Sequence, residues 1–492
     1  MSKTQRYTLL TIILIIAIFL RFYHFTTTPP GLYPDEAMDG NNAVEAAQTN
    51  HFQVFYVEDN GREGLYVNIV AAIIKVWPVY EPWIIRLPAA VAGVLTVWGL
   101  YLLVAELFGD GPGLLAAFLL ATSFWGIIFS RIGFRAILAP LLLIWTLWLL
   151  IKAFRSDNKR SAILYTILAG IVYGLGFYTY IAYRITPLLF LLFIPFFRKN
   201  PGFWKRTALF IVTILIVAAP IGWYFATTPG SFFGRTAEIS VTSAANPIHD
   251  LVVNLTKEAL MFNFHGDNNW RQNISGAPEL FWPVGILFVL GIVLGLYSLW
   301  RSWRKKDGGG NNPFPAFGIL LTLAWLIVGI LPAAASDEGI PHALRSILAL
   351  PPALILATLG GVWLYGIIKK YWHTRAAQII GIVFVLVIVV FGYYGYFIVW
   401  AQNPNVPGAF SANYVDIGRQ INALPTSTPK YVIVNAGGVP AHGIPVPAET
   451  TMFITHSFTT ADAAAANIYY LLPDQTSSIP AGTPSEDIFS IN

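Results

Sequence analysis

Long apolar runs separated by short charged segments make up most of the chain. A helix needs about 20 apolar residues to cross the hydrocarbon core of a bilayer, and eleven runs have or approach that length. This pattern predicts an all-α polytopic membrane protein with about eleven transmembrane helices. The predicted helices are residues 7–25, 83–107, 113–130, 135–152, 161–181, 184–197, 207–226, 280–300, 315–333, 343–368 and 377–400.

A further apolar stretch, 65–79, is interrupted by Lys75 and Pro78. A charge and a proline in so short a run favour a helix that lies at the outer interface or is partly re-entrant. The first run, from Tyr7 to Phe25, follows two basic residues and has no small-residue cleavage site. We therefore expect a retained first span and not a removed signal peptide.

The basic residues predict the orientation. More than half of the 30 Lys and Arg residues lie in the N-terminal segment and in four short connections. Positive charge accumulates in the cytoplasmic loops of membrane proteins. We therefore expect a multi-pass protein of the cytoplasmic membrane, with a cytoplasmic N-terminus and an extracytoplasmic C-terminus. The basic segments are residues 3–6, 152–160, 198–206, 301–306 and 369–375.

This orientation places two long loops, about 26–82 and 227–279, and the C-terminal tail on the extracytoplasmic side. We expect a membrane domain at 1–400, with juxtamembrane helices in its outside loops. A small extracytoplasmic α/β domain is expected at 401–492.

Two apolar runs in the tail have the residue types of β-strands. Residues 431–435 read Tyr-Val-Ile-Val-Asn and are followed by a Gly-Gly turn signal. Residues 451–455, Thr-Met-Phe-Ile-Thr, resemble a second strand. These two runs are the basis for expecting a mixed α/β tail.

Composition excludes several classes of protein. The chain is 56% hydrophobic and 11% charged, whereas soluble globular proteins are about one quarter charged. The net charge of +5 does not indicate nucleic-acid binding, because the basic residues lie in short clusters between apolar runs. The absence of cysteine excludes disulfides, thiolate metal sites and Cys nucleophiles.

The first outside loop begins with an acidic cluster. Asp35 and Glu36 follow a proline, which suits the first turn of a helix. Asp35, Asp39 and Asn42 fall on one helical face at i, i+4 and i+7. Such a face could deprotonate an acceptor hydroxyl or hold a divalent cation. The alternative is an acidic helix start that faces water.

Several cations are expected on the same side of the membrane. Arg62 could hold a phosphate with two hydrogen bonds, or could simply pair with a neighbouring Glu63. Arg131, Arg135 and Arg184 lie at predicted outer ends of spans, against the positive-inside rule. They indicate a phosphate ligand or internal carboxylates, or alternatively they reach toward lipid headgroups.

Two further polar clusters lie outside by the same topology. His265 and Asp267 flank a glycine, which is typical of a tight turn with or without chemistry. His342 and Arg345, three residues apart at the start of a span, could share a phosphate. A histidine at a helix start and an arginine reaching the interface are the alternative. Together the clusters predict a site at the outer membrane surface, with carboxylates opposite cations.

The ordered set of these motifs resembles the GT-C glycosyltransferases, specifically the protein O-mannosyltransferase and aminoarabinose-transferase group. The resemblance covers about residues 7–370. It rests on Asp35-Glu36, Arg62-Glu63-Gly64-Leu65-Tyr66, Arg86-Leu87-Pro88-Ala89-Ala90, Phe129-Ser130-Arg131-Ile132-Gly133-Phe134-Arg135, Tyr178-Thr179-Tyr180 with Arg184, His265-Gly266-Asp267 and His342-Ala343-Leu344-Arg345.

The resemblance implies an inverting transfer of a sugar from a polyprenyl-phosphate-linked donor to a protein, lipid or glycan acceptor. By analogy, Asp35 is the general base and Glu36 supports it or positions the acceptor, while arginines hold the donor phosphate. Some relatives bind a divalent cation such as Mg, Mn or Zn near the equivalent of Asp35, although this chain lacks their second acidic cluster. The residues expected to bind substrate are Asp39, Arg62, Glu63, Arg131, Arg135, Tyr180, Arg184, His265, Asp267, His342 and Arg345.

Two other functions are compatible with a polytopic membrane protein. A transporter or flippase for a polyprenyl-linked saccharide would carry ionisable residues near the middle of its spans. The interiors of the predicted spans are nearly free of charge, which disfavours this alternative. A non-catalytic assembly subunit would use the tail as a binding module and would not need Asp35.

Overall fold

The computed structural model describes residues 1–58, 60–233, 240–241, 246–304 and 315–492, which are mostly helical. Within these ranges, eight helical segments are long and apolar enough to cross a membrane. This confirms the prediction of an all-α polytopic membrane protein. The eight segments are Lys3–Phe22, Pro82–Phe108, Arg135–Arg155, Phe203–Thr227, Trp282–Ser302, Ala316–Ala334, Ile347–Trp372 and Thr374–Trp400.

The first half of the chain contributes ten α-helices among the described residues. They are α1 (Lys3–Phe22), α2 (Pro34–Thr49), α3 (Leu65–Val76), α4 (Pro82–Phe108), α5 (Asp110–Thr122), α6 (Phe124–Phe129), α7 (Leu138–Arg155), α8 (Lys159–Gly176), α9 (Phe193–Phe197) and α10 (Phe203–Thr227).

The second half contributes nine more within the described ranges. They are α11 (Pro247–Leu260), α12 (Trp282–Arg304), α13 (Ala316–Ala334), α14 (Leu350–Trp372), α15 (Thr374–Tyr393), α16 (Asn405–Ala409), α17 (Ala412–Ala423), α18 (Glu449–Thr455) and α19 (Thr460–Ala466).

Three predicted spans are helical but broken or short. Residues 113–130 form α5 and α6, which are separated by Ser123 in an extended conformation. Residues 184–197 form a 3₁₀-helix, Ile181–Leu192, that continues into α9. The segment 161–181 corresponds to α8, which is only 18 residues long. The prediction of about eleven crossings, and of their orientation, therefore stays a prediction.

Two of the predicted segments reach beyond the described ranges. Lys305 and Lys306, in the predicted cytoplasmic connection 301–306, lie outside the described residues. The same is true of part of the predicted outside loop 227–279.

The chain divides into two compact units. The first, which we call the membrane unit, comprises 1–23, 90–130 and 136–400. The second, which we call the loop–tail unit, combines the first long loop with the tail. It comprises 24–89, 131–135 and 401–492. The predicted division into 1–400 and 401–492 stays a prediction.

In the membrane unit, small residues let α12 and α14 approach closely. A Cβ atom added at Gly360 would lie 2.1 Å from the carbonyl oxygen of Leu287, and one at Gly291 would lie 1.9 Å from that of Leu356. Such contacts are far below van der Waals distance. Glycine at both positions is therefore what allows the two backbones to pack together, as is common between membrane helices.

In the loop–tail unit, the tail forms a three-stranded parallel sheet. The strands β3 (Lys430–Val434), β6 (Ile468–Leu471) and β7 (Ile488–Ile491) have the order β6-β3-β7. The first long loop adds a small hairpin of β1 (Phe55–Tyr56) and β2 (Arg62–Glu63). The strands β4 (Pro440–Ala441) and β5 (Ile444–Pro445) form another.

One tail strand was predicted correctly and the other was not. Residues 431–435 correspond to β3, as predicted. Residues 451–455 belong to α18 and not to a strand, and every residue of α18 is buried. A short, fully buried apolar run has no polar face, so its periodicity cannot distinguish a helix from a strand.

The close packing of α12 on α14 predicts opposite effects of the same substitution at two glycines of α14. Gly360→Ala should lower the stability of the protein by about 1–3 kcal/mol, because the methyl group has no room. Gly366→Ala is the matched control. Gly366 has no atom within 4 Å of an added Cβ, so this change should be neutral or stabilise the helix by up to about 1 kcal/mol. Thermal unfolding of the detergent-purified variants measures both, and equal melting temperatures would contradict the packing argument.

Candidate functional site

Asp35 is the accessible carboxylate at the start of α2. It follows Pro34, which begins the helix. Proline suits this position because its missing N–H is not needed there, and acids in the first turn are favoured by the helix dipole. Asp35 is partly exposed. Within the described residues, the structure shows no hydrogen bond or ion pair of its carboxylate.

The neighbouring Glu36 is fully buried and is held by Arg86. Arg86 Nε donates to Oε1 at 3.0 Å, and Nη2 donates to Oε2 at 2.9 Å. The backbone N–H of Gly133 also donates to Oε1. Arg86 in turn donates to the carbonyl oxygens of Pro29 and Gly31, each at 2.8 Å. Glu36 therefore anchors the first turn of α2 inside the loop–tail unit.

Asp39 and Asn42 lie on the same face of α2 and share Arg62. Nη1 of Arg62 donates to Asp39 Oδ1 at 2.9 Å, and Nη2 donates to Asn42 Oδ1 at 2.7 Å. Burial raises the pKa of Asp39, and the Arg62 guanidinium partly offsets this effect. Arg62 is only 2% exposed. We therefore interpret it as a positioning residue for α2, and its predicted contact with a phosphate stays a prediction.

Two further predicted arginines are engaged within the loop–tail unit. Arg135 Nε donates to Glu63 Oε2 at 3.2 Å, and Arg135 contributes to the electrostatic environment of Asp39. Arg131 is completely buried, and its Nη2 donates to the carbonyl oxygens of His24 and Thr28 at 3.2 and 2.8 Å. Arg131 therefore does not reach toward lipid headgroups.

In the membrane unit, buried acceptors bind the segment that precedes α14. Glu258 Oε1 accepts a hydrogen bond from the backbone N–H of His342 at 2.8 Å, and Oε2 accepts one from Ser346 Oγ at 2.6 Å. Gln272 Oε1 accepts one from the N–H of Leu344 at 3.1 Å. These side chains satisfy backbone donors that would otherwise have no helical partner.

Asp267 belongs to the same cluster. Its Oδ2 accepts from the N–H of Ala343 at 2.9 Å and lies 3.7 Å from Nδ1 of His342. Its own N–H donates to Glu279 Oε1 at 3.0 Å. Burial raises the pKa of Asp267 to about 6 and that of Glu258 to about 7, and it raises the pKa of Glu279 well above its ordinary value. The fold thus brings together Asp267 and His342, two predicted site residues that belong to different clusters in the sequence.

The other predicted residues of the membrane unit are more exposed, apart from Tyr180. His265 is exposed, and Tyr180 is buried at the start of the 3₁₀-helix Ile181–Leu192. Arg184 donates to the carbonyl oxygen of Phe232 and lies over the rings of Phe225 and Phe232, 4.7 and 4.6 Å from their centres.

Arg345 is held by the loop that precedes it. Its Nη1 donates to Ser336 Oγ at 2.7 Å and to the carbonyl oxygen of Glu338 at 2.8 Å. The same guanidinium lies 3.6 Å from the exposed Glu338 carboxylate. The Arg345 side chain retains 13% exposure.

Sequence reasoning missed Arg86, Glu258 and Glu279 as site residues. Arg86 lies in one of the motifs that carry the GT-C resemblance, so a signal was present. Glu258 and Glu279 are single acids beside apolar residues. Nothing in their local sequence distinguishes them from exposed acids, because only the tertiary packing buries them.

The side chains around Asp35 do not fit a metal ion. Glu36 and Asp39 are already bound to arginines. Among the residues described, no group of three or more His, Asp or Glu side chains could hold a metal. We therefore derive no step through the Mg, Mn or Zn ion that the family resemblance suggested.

Comparison with known proteins gives a family match, one similar protein and two similar structures. Residues 65–224 match the family of dolichyl-phosphate-mannose-protein mannosyltransferases. The "Putative mannosyltransferase YkcB" of Bacillus subtilis is 29% identical over 139 residues, which are 28% of this chain and 19% of YkcB. The chain thus covers about a fifth of that relative's length.

Two solved structures are similar over nearly the whole chain. ArnT from Cupriavidus metallidurans, bound to undecaprenyl phosphate, matches 96% of this chain and 90% of its own. The identity is 13% and the TM-score 0.58. The archaeal oligosaccharyltransferase AglB from Archaeoglobus fulgidus, in complex with an inhibitory peptide and a dolichol-phosphate, matches 96% of this chain and 69% of its own. Here the identity is 14% and the TM-score 0.57.

The chain has the GT-C fold. This confirms the resemblance to GT-C membrane glycosyltransferases that the ordered motifs indicated. The motifs that contain Arg86 and Arg135 lie inside the segment that matches the family, residues 65–224.

The Glu36–Arg86 pair predicts a large loss of stability when Arg86 is removed. Arg86→Ala should destabilise the loop–tail unit by about 3–5 kcal/mol, because the carboxylate of Glu36 stays buried without its cation. The matched control is Arg419→Ala, which breaks an exposed pair with Glu81 in the same unit and should cost at most about 1 kcal/mol. Limited proteolysis of the purified variants measures the difference. Equal sensitivity of the two variants would show that burial of the pair is not decisive.

The raised pKa of Glu258 predicts that the stability of the GT-C membrane unit falls as the pH rises. The unfolded chain releases this proton near the ordinary value of 4.5, and the folded protein releases it near 7. Stability should therefore be lost between these two values, by about 3 kcal/mol from this group. Glu258→Gln cannot ionise, so the melting temperature should fall less steeply between pH 5 and 8 than in wild type, with the remaining slope due to Asp267 and Glu279. Glu338→Gln, which changes an exposed acid, should leave the slope unchanged. Parallel curves for wild type and Glu258→Gln would refute the assignment.

Proposed function

We propose that this protein is an integral membrane glycosyltransferase that uses a polyprenyl-phosphate-linked sugar. The proposal is supported by the mannosyltransferase family match at residues 65–224 and by the GT-C fold. It is further supported by the ligands of two similar structures, since ArnT was solved with undecaprenyl phosphate and AglB with a dolichol-phosphate and a peptide. The acceptor is a hydroxyl group on a protein, lipid or glycan.

Asp35 is the general base in this proposal. The observation that supports it is the contrast among three acids of α2. Glu36 and Asp39 are buried and bound to Arg86 and Arg62, whereas Asp35 is partly exposed with no ion pair among the described residues. A general base needs a lone pair that an acceptor hydroxyl can reach. Of the three carboxylates, Asp35 meets this requirement.

The transfer is an inverting displacement. The acceptor oxygen attacks the anomeric carbon of the sugar while Asp35 takes the hydroxyl proton. The bond between the anomeric carbon and the phosphate oxygen breaks, and the polyprenyl phosphate leaves with the bonding electrons. Fixed cations stabilise the developing phosphate charge. Inversion follows because a single displacement reverses the configuration at the attacked carbon.

Arg184 and Arg345 are the proposed partners of the donor phosphate. Arg184 and the side chain of Arg345 are partly exposed. Arginine suits this role because its planar guanidinium can give a phosphate two parallel hydrogen bonds. His265 and His342 remain candidates for contacts with the sugar or the phosphate. In the structure, Arg62, Arg131 and Arg135 donate hydrogen bonds within the loop–tail unit, where they hold its segments together.

We further propose that the reaction occurs at the outer face of the cytoplasmic membrane. The basic clusters between spans support a cytoplasmic N-terminus. Asp35 follows the first span and would then face outward, as would the tail.

Substitution of Asp35 tests the proposed base. Asp35→Asn should lower sugar transfer by at least about 100-fold, because the amide cannot take the hydroxyl proton. Mass spectrometry of lipid extracts and glycosylated products from cells that produce each variant identifies donor and product together. Unused lipid-linked sugar should accumulate with Asp35→Asn, and the same accumulation is expected in cells without the protein.

Glu45→Gln is the matched control. Glu45 is a partly exposed acid on the same helix, about 15 Å from Asp35 along the helix axis. It should retain wild-type transfer. Wild-type transfer by Asp35→Asn would refute the general-base assignment. Movement of intact lipid-linked saccharide without sugar transfer would instead favour a flippase.

A further inference from the structure

We propose that α18 in the C-terminal tail is a positioning element for α2, the helix that carries Asp35, and that the Asn41–Glu449 contact sets the orientation of α2. This inference rests on the proposed role of Asp35 as the general base. It assigns to the tail a part in catalysis that involves no contact with the substrate. All residues concerned belong to the loop–tail unit.

The central contact is a buried polar pair. Asn41 Nδ2 donates to Glu449 Oε2 at 2.7 Å and to the backbone carbonyl oxygen of Glu449 at 3.0 Å. Asn41 is 1% exposed and Glu449 is fully buried. A carboxylate in such a place costs free energy of desolvation, which an apolar residue would not. Buried polar contacts of this kind can specify one arrangement of two elements, because a shifted helix would leave both groups without their hydrogen bonds.

Close packing at Gly40 and further contacts with the tail support the same orientation of α2. A Cβ atom added at Gly40 would lie 2.8 Å from the ring of Phe453 and 2.5 Å from the side chain of Ile85. Thr450 Oγ1 donates to the carbonyl oxygen of Leu32, just before α2, at 2.8 Å. Met38 packs into the hydrophobic core of the tail. The tail thus contacts α2 and the segment leading into it.

The contacts at Gly40 and Asn41 lie away from the face that carries Asp35. A helix turns by about 100° per residue, so Asp35, Asp39 and Asn42 share one side of α2. Gly40 and Asn41 lie on the opposite half of the helix, each about 50° from the direction directly opposite that side. Arg62 binds the first side and α18 packs against the second. Held from both sides, α2 can neither rotate nor tilt without breaking a buried contact. The direction of Asp35 in the first turn is therefore set partly by the tail.

Substitutions at the pair test this role through hydrogen bonding. Glu449→Ala removes the side-chain acceptor and should lower kcat about 10-fold or more, with the KM for the lipid-linked donor unchanged. Glu449→Gln keeps an acceptor and should stay within about 3-fold of wild type. Asn41→Asp places a second acid beside Glu449 and should be as defective as Glu449→Ala. The double variant Asn41→Asp, Glu449→Gln restores one donor and one acceptor and should recover most of the lost kcat.

Hydrogen–deuterium exchange of the full-length protein in detergent provides a readout that needs no activity. Glu449→Ala should increase exchange in residues 35–42, while α12 and α14 stay protected as in wild type. Gln48→Ala is the matched control. It removes an exposed contact between α2 and His456, about 20 Å from Asp35 along the helix axis, and should change neither kcat nor exchange in residues 35–42.

The outcomes separate this inference from the proposed function. Unchanged exchange and unchanged kcat in Glu449→Ala would overturn the positioning role. An equal loss of kcat in Glu449→Ala, Glu449→Gln and Asn41→Asp, with no recovery of kcat in the double variant, would also overturn it. A third outcome combines increased hydrogen–deuterium exchange in Glu449→Ala, recovery of kcat in the double variant and continued activity of Asp35→Asn. It would support the positioning of α2 and refute Asp35 as the base.

Discussion

The buried pair between Glu36 and Arg86 is the interaction on which the geometry around Asp35 depends. A carboxylate with no exposure is stable only when a cation and further donors replace its water. Arg86 supplies two hydrogen bonds, and the N–H of Gly133 supplies a third. The same guanidinium holds the carbonyl oxygens of the segment before α2. Fixing Glu36 inward leaves the adjacent Asp35 at the accessible end of the helix.

The membrane unit uses buried acids for a different purpose. Glu258 and Asp267 accept hydrogen bonds from consecutive backbone N–H groups at His342 and Ala343. These donors lie in the turn segment before α14. Side chains from distant segments therefore satisfy them, and the segment that presents His342 and Arg345 is held in one conformation. Because burial raises the pKa values of both acids, the strength of these hydrogen bonds is linked to pH.

Predictability from sequence differed sharply between residues. The alternation between long apolar runs and basic clusters was sufficient to identify a polytopic membrane protein, because lipid constrains length and composition strongly. The order of short motifs was sufficient to indicate the GT-C fold. The face shared by Asp39 and Asn42 followed from helical periodicity alone, and Arg62 indeed binds both. By contrast, residues 451–455 were assigned to the wrong element, since their burial on all sides removes the periodic signal.

The sequence by itself determined that this is a polytopic membrane protein, and it determined the approximate spans and the acidic start of α2. These features depend on residues close together in the chain. Only the tertiary structure decided which carboxylates are buried with a cation and which one stays accessible. Asp35, Glu36 and Asp39 have similar local sequence surroundings, yet they differ in exposure because Arg86 of α4 binds Glu36 and Arg62 of β2 binds Asp39. The contact of Glu449 with Asn41 spans about four hundred residues. No local pattern reports such a pair, because its free energy arises only when distant segments exclude water together.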